Sequence, residues 1–225
     1  LAFDVALHFG TLLAVMGYFR KDLMPLITGW LGTFRGGPVT GDARIAWGIF
    51  LGTFPAALAG LFFHSTIEHK LGSPVLIAIM LMVFGLLLFA ADRLRRGERE
   101  CDSLGWGEFL LIGIAQAVAL IPGTSRSGVT MTIGLALGMS RTEAARFAFL
   151  LAIPVILLAT GYEGMRLMMS PEPADWPALL TGTAVACASG WACIHFLLQL
   201  LKKTGFGVFV IYRLILGLIL LWLYL

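Results

Sequence analysis

Charge is what this sequence has least of. Of its 225 residues 13% are charged and 59% hydrophobic, where an ordinary soluble domain has about 25% charged and roughly 45–50% apolar residues. A single water-soluble core cannot hide so much apolar surface, which excludes an ordinary soluble domain. The net charge is only +3, and the basic residues sit in short loops, so no nucleic-acid partner is expected. Cysteine is scarce as well. Cys101, Cys187 and Cys193 are an odd set without metal-ligand spacing, which argues against a disulfide framework. They read as small apolar fillers plus one loop thiol. Strict polar–apolar alternation is missing too, and with it the mark of a half-buried strand. No methionine or signal-peptide n-region opens the chain. Leu1 already reads as helix interior, and a preceding segment is expected.

What the chain does have is hydrocarbon, with a mean hydropathy of +0.90. Apolar blocks at about 3–19, 45–64, 74–91, 143–162, 177–200 and 206–225 are each long enough to span about 30 Å of bilayer at 1.5 Å per residue. Backbone amides in lipid need partners within their own segment, so the blocks should be helices. The loops carry an orientation signal. Arg20, Lys21, Arg35 and Arg44 follow the first block, Arg93, Arg95, Arg96 and Arg99 the third, and Lys202 and Lys203 the fifth. The loop after the second holds only Glu68 and Lys70, and the loop after the fourth sets Arg166 against Glu163, Glu172 and Asp175. Basic loops face the cytoplasm, which places the loops after blocks one, three and five inside and the C-terminus outside.

One region breaks the pattern. The apolar pieces 108–120 and 129–139 are each too short to cross, and between them runs Ile121-Pro122-Gly123-Thr124-Ser125-Arg126-Ser127-Gly128. Two half-length helices broken by polar residues read as a re-entrant hairpin, since irregular backbone at membrane depth survives only where protein or a cavity surrounds it. The expected fold is therefore an all-α polytopic membrane protein with six transmembrane helices and one re-entrant hairpin. Blocks one to three and four to six run in opposite senses, as inverted repeats do. Phe3, Leu7, Leu13, Gly17 and Tyr18 recur faintly as Phe147, Leu151, Leu157, Gly161 and Tyr162. This divides the chain into a first repeat, 1–106, and a second, 107–225, whose hairpin is 107–139. A matching hairpin is expected before Leu1.

The break is also where the chemistry is. Arg126 is the only basic residue between Arg99 and Arg141, and an unpaired arginine in hydrocarbon is costly enough to be a functional candidate. Its planar fork suits two oxygens of a carboxylate or phosphate. Ser125, Ser127, Thr124 and Thr130 add hydroxyls, Gly128 permits close backbone approach, and the second half-helix points its free N–H groups at the same place. Gln116 lies within reach of the loop, or bonds between helices. An anion, best a phosphate, fits this donor set. The competing reading pairs Arg126 with a buried carboxylate and uses the hydroxyls as helix caps. Elsewhere, Asp4 and His8 share a face of the first block and either line a cavity or satisfy each other. His64 and His69 flank an outward loop. Arg213 snorkels or pairs. Trp176, Trp191 and Trp222 read as interface or packing aromatics. Ser140 and Glu143 resemble a capping box.

At this loop the sequence resembles the undecaprenyl-diphosphatase family, the bacitracin-resistance integral membrane phosphatases. Its Pro-Gly-x-Ser-Arg-Ser-Gly-x-Thr signature stands at Pro122 to Thr130. Gln116-Ala117-Val118-Ala119-Leu120, Met139-Ser140-Arg141, Phe149-Leu150-Leu151-Ala152-Ile153-Pro154, Phe3-Asp4, Leu7-His8, Phe54-Pro55-Ala56 and Tyr212-Arg213 extend the match along the chain. The resemblance implies hydrolysis of undecaprenyl diphosphate to undecaprenyl phosphate and phosphate, recycling the cell-wall lipid carrier in the bacterial inner (plasma) membrane. It implies two re-entrant hairpins, a site open to the outer face, functional roles for Arg126, Ser125 and Ser127, and a divalent cation (Mg or Ca). Thr124, Gly128, Thr130 and Gln116 are the expected substrate contacts. The family's glutamate-rich motif and its Ser-Ser-Thr-Gly-His segment do not occur in this chain. No metal ligands are therefore expected in it, and little phosphatase activity is expected from these 225 residues alone. The expected partners are a polyprenyl diphosphate lipid and the membrane, with a homodimer as a candidate assembly. A transporter or flippase of an anionic polyprenyl lipid is the alternative, and a scaffold the third reading.

Overall fold

The computed structural model describes residues 2–169 and 175–224, the side chains of 63–70 and 167–168 excepted. Glu172 and the side chains of His64, Glu68, His69 and Lys70 thus lie outside the described residues. The described residues form helices α1 (Ala2–Tyr18), α2 (Arg20–Thr33), α3 (Gly41–Lys70), α4 (Pro74–Leu94), α5 (Trp106–Val118), α6 (Arg126–Ala136), α7 (Arg141–Met169), α8 (Trp176–Thr204) and α9 (Gly207–Tyr224), with a 3₁₀ turn at Cys101–Ser103 before α5. Five helices, α3, α4, α7, α8 and α9, are long and apolar enough to cross a membrane. The first block differs from the expected single span. Its helix α1 is only 17 residues long and meets the same test only together with α2, across a bend of 81°. The loop expected after the first block is largely helix, and Pro25 does not break it. Met24, Ile27, Leu31 and Phe34 are exposed along one side of α2.

Packing follows the helix faces. α1 lies against α8 and α7, α3 against α5 and α2, and α4 against α9 and α6. Large apolar side chains are exposed on the outer faces, Phe62, Leu158, Phe196 and Trp222 among them, which in lipid costs nothing. The interior is built from Leu12, Phe109, Ile112, Leu135, Phe147 and Leu151, all under 2% exposed. α5 and α3 meet through Gly113 and Gly52, so closely that a Cβ on Gly113 would stand 2.5 Å from the Gly52 carbonyl oxygen.

Ion pairs tie the helices together at one end of the bundle. Asp92, at the end of α4, accepts from Arg141 Nε at 2.5 Å and Nη2 at 3.1 Å, and from the Phe206 amide at 3.3 Å. That joins α4, the start of α7 and the α8–α9 turn. Arg146 of α7 reaches Asp22 of α2 at 2.6 Å. Ser140 accepts from the Glu143 amide at 3.2 Å, half of the expected capping box. The Glu143 carboxylate turns instead toward the Cys101 amide (3.3 Å) and Arg146, because the Ser140 amide is already bonded to Arg99. Cys101, expected as a loop thiol, is 1% exposed in the core, and burial pushes its thiol far above the ordinary range.

Candidate functional site

The hairpin α5–α6 is re-entrant because its two ends meet at one residue. Arg99 forks onto Glu108 at the entrance of α5 (2.8 and 2.9 Å) and donates to the Leu137 carbonyl at the exit of α6 (2.9 Å). Its amide bonds Gly138, and its carbonyl accepts from Ser140. Gly138, at φ +86, ends α6, and the Met139 amide closes back onto Gly134 at 3.0 Å. A segment whose ends are clamped together this way does not cross.

The tip lies at the other end. α5 tightens through i→i+3 bonds at Ala119, Leu120 and Ile121, and the turn follows. Gly123 has φ +89 and packs on α4, where a Cβ would stand 2.5 Å from the Ile77 carbonyl oxygen. Conformation and contact both demand glycine there. Ile77 is close to the start of α4, so the tip sits at the end of α4 opposite Asp92. Ser125 follows at φ 67, the one non-glycine at positive φ among the described residues. That conformation costs on the order of 1–3 kcal/mol and persists only where its surroundings enforce it.

The helix α6 starts at Arg126, three residues earlier than the apolar pattern indicates. Ser125 is the reason: its Oγ accepts from the Gly128 amide at 3.2 Å, a helix cap. Arg126 and Ser127 therefore stand in the first turn of a helix and not in a loop. Val129 bonds the Ser125 carbonyl, while the Arg126 and Ser127 amides have no acceptor among the described residues, as the first amides of a helix do.

The expected site residues divide. Arg126, Ser125 and Ser127 stand together at partly exposed positions, and Gly128 lies beneath them. Thr124 and Thr130 are buried, and their hydroxyls are engaged with backbone carbonyls, Thr124 with Ile121 (2.7 Å) and Thr130 with Arg126 and Ser127 (3.0 Å each). Gln116 is 1% exposed. It faces α3, its amide 3.5 Å from the Gly52 carbonyl, and its Oε1 is buried without a partner among the described residues. Asp4 and His8 lie on an exposed face of α1. The pairing of Arg126 with a buried carboxylate does not occur, since no ion pair or side-chain hydrogen bond of Arg126 is found among the described residues.

Residue reading alone missed Arg213. It neither snorkels nor pairs with a carboxylate. It is 8% exposed and reaches from α9 past α4 into the turn, with Nη2 donating to the carbonyls of Gly123 (2.9 Å) and Thr124 (3.0 Å) and Nε to Leu81 (3.1 Å). Its Nη1 passes under α6, 3.5 Å from where a Cβ of Gly128 would be; that Cβ would also stand 3.1 Å from Ser125 Oγ. The sequence signals were an arginine in the middle of an apolar block and the family match at Tyr212-Arg213. Two guanidiniums thus converge on one turn with no carboxylate partner among the described residues. A buried charge needs compensation: Arg213 finds it in three backbone carbonyls, while the Arg126 guanidinium has none among the described residues and leaves positive charge free at the turn. The arrangement does not fit a divalent cation: the donors are guanidiniums, hydroxyls and amides, and no group of three or more His, Cys, Asp or Glu stands together among the described residues.

Fold and site together define a multi-pass helical membrane protein with an arginine-bearing polar turn carried within the helix bundle. The chain belongs to the bacitracin resistance protein BacA family, whose model matches residues 1–219. It is 53% identical over 230 residues to an undecaprenyl-diphosphatase of Colwellia psychrerythraea, covering 99% of this chain and 84% of that protein. It is 50% identical to undecaprenyl-diphosphatase 2 of Stutzerimonas stutzeri and 48% identical to an undecaprenyl-diphosphatase of Hahella chejuensis, in each case over 100% of this chain and 84% of the relative.

Proposed function

We propose that this protein hydrolyses undecaprenyl diphosphate to undecaprenyl phosphate and inorganic phosphate, in the bacterial inner membrane. One observation carries the reading: Arg126 and Arg213, without a carboxylate between them, flank the open first turn of α6. A diphosphate supplies the missing negative charge. In the reaction water adds to the terminal phosphorus, the bond from that phosphorus to the bridging oxygen breaks, and the lipid monophosphate leaves with the bridging oxygen. Charge then spreads over the equatorial oxygens, where Arg126, the Ser127 hydroxyl and the two unbonded amides stabilise it. Ser125 acts through the turn, holding α6 in place as its cap. Gly128 keeps the floor of the turn open for the Arg213 guanidinium. The undecaprenyl chain lies against the apolar outer faces of the helices.

The inverted-repeat division into 1–106 and 107–225 belongs to the same reading. If α1 corresponds to α7, α3 to α8 and α4 to α9, then the contact of α1 with α8 maps onto that of α7 with α3, while the α1–α7 and α4–α9 contacts map onto themselves. All four contacts are present.

The test is phosphate release from undecaprenyl diphosphate by the purified protein, compared with Arg126→Ala. Release abolished by the substitution is the expected result. Release that survives it removes Arg126 from the site. Transbilayer movement of a labelled polyprenyl lipid without phosphate release would replace hydrolysis with transport.

A further inference from the structure

The other end of α4 carries a second cluster of arginines. Asp92 lies about 22 Å further along α4 than Ile77, at 1.5 Å per residue, far from the 122–130 turn. Around it opens a concavity of about 610 Å³ whose walls include Arg93, Arg95, Arg96, Glu98 and Arg141. Its carboxylates are already engaged: Asp92 with Arg141 and the Phe206 amide, Glu98 with Arg95 at 2.7 Å. The frame is fixed. Gly205, at φ +72, lets the α8–α9 turn close over Arg141, where a Cβ would stand 2.6 Å from the guanidinium carbon.

Two arginines are left over. Arg93 rests over the Phe89 ring at 5.2 Å, and neither Arg93 nor Arg96 has an ion-pair partner among the described residues. Alongside and over the preceding two turns α4 exposes Leu86, Leu87, Phe89 and Leu94, the last 74% exposed. Orientation in the membrane needs only the charges. It needs no concavity, and no apolar face alongside two unpaired guanidiniums. A ligand that satisfies both carries one phosphate and a hydrocarbon tail.

We propose that this concavity seats the phosphodiester headgroup of an anionic lipid of the cytoplasmic leaflet. Arg93 and Arg96 hold the phosphate and the outer face of α4 receives the acyl chains, as basic pockets at the cytoplasmic ends of membrane helices do. Free phosphate would use the arginines but not the apolar face.

The experiment counts dioleoyl-phosphatidylglycerol retained by the purified protein in native mass spectrometry, after release from bilayers of mixed phosphatidylcholine and phosphatidylglycerol. Phosphatidylglycerol should be enriched over phosphatidylcholine in the wild type. Enrichment should fall about tenfold or more in Arg93→Ala/Arg96→Ala and be largely kept in Arg93→Lys/Arg96→Lys. Arg126→Ala should leave it unchanged, and excess inorganic phosphate should not displace it. The single exposed change Arg96→Gln should give a smaller drop and serves if the double variant folds poorly. Equal retention in the alanine pair and in Arg96→Gln overturns the proposal. Displacement by inorganic phosphate reassigns the concavity to a free anion, and loss in Arg126→Ala moves the bound lipid to the 122–130 turn.

Discussion

The side chain of Arg213 holds the backbone of Thr124: its Nη2 donates to the Thr124 carbonyl at 3.0 Å, from a helix 89 residues away in sequence. The same nitrogen bonds Gly123. The last helix therefore sets the position of the turn before α6. Replacing Arg213 with alanine removes both the clamp and the second positive charge. Phosphate release from undecaprenyl diphosphate should drop by roughly 10²–10³-fold, the scale seen when one preorganised donor is lost. Lysine restores charge but not the fork, and should fall between the two. If lysine matched arginine, the clamp would be irrelevant and only the charge would count.

Arg126 makes a contrasting case. Among the described residues its side chain has no hydrogen-bond or ion-pair partner to lose. Arg126→Ala should abolish phosphate release while leaving the thermal midpoint in detergent unchanged or slightly raised, because an uncompensated charge leaves a partly buried position. A marked fall in the midpoint would make Arg126 a structural residue.

Gly123 tests the turn itself. Its φ of +89 and the 2.5 Å approach of a Cβ to the Ile77 carbonyl mean that Gly123→Ala must displace the turn from α4. A loss of about 1–3 kcal/mol is expected from backbone strain of this kind, read as a lower unfolding midpoint. Activity should fall further than stability alone would require, because Thr124 and Ser125 move with the turn. An alanine variant of wild-type stability would show that the turn is looser than its contacts indicate.

The clamp at the mouth of the hairpin should respond to pH. The hydrogen bonds from Arg99, with help from the Gly105 amide, hold the Glu108 carboxyl below the ordinary glutamate value. A lowered carboxyl contributes stability that is present above the unfolded value of about 4.3 and disappears as pH falls through the lower folded value. Glu108→Gln should therefore be less stable than wild type at neutral pH, and the difference should close in strong acid. Thermal melts at several pH values measure this; a gap of constant size would show that Glu108 acts by packing and not by charge. The group is partly exposed (28% of its side chain), so the effect is modest and weakens with salt.

Much of the molecule could be read from the residues in order. Apolar blocks gave five of the helices directly, and the Pro-Gly break gave the hairpin and the polar turn. Two features could not be read this way. The apolar pattern starts α6 at Val129, but a cap is a local hydrogen bond, and the Ser125 hydroxyl begins the helix at Arg126. The basic run at Arg20 and Lys21 resembles a loop, yet α2 forms there because Gly29, Trp30 and Thr33 pack on α3 and Asp22 finds Arg146 of a distant helix.

The sequence by itself determined the class of protein and the location of its polar break, since helices in a membrane satisfy their backbone bonds locally and hydropathy along the chain is enough to find them. Only the tertiary structure decided what the break is made of. Whether Arg126 meets a carboxylate, whether Gln116 faces the turn or α3, and that Arg213 arrives there from α9 all depend on which helices are neighbours. Neighbours are chosen by packing between segments tens to hundreds of residues apart, as Gly113 on Gly52 and Gly123 on Ile77 illustrate. The turn that stands out in the sequence as a polar interruption is, in three dimensions, held by an arginine that arrives from α9, beside another at the start of α6, with no carboxylate partner for either among the described residues.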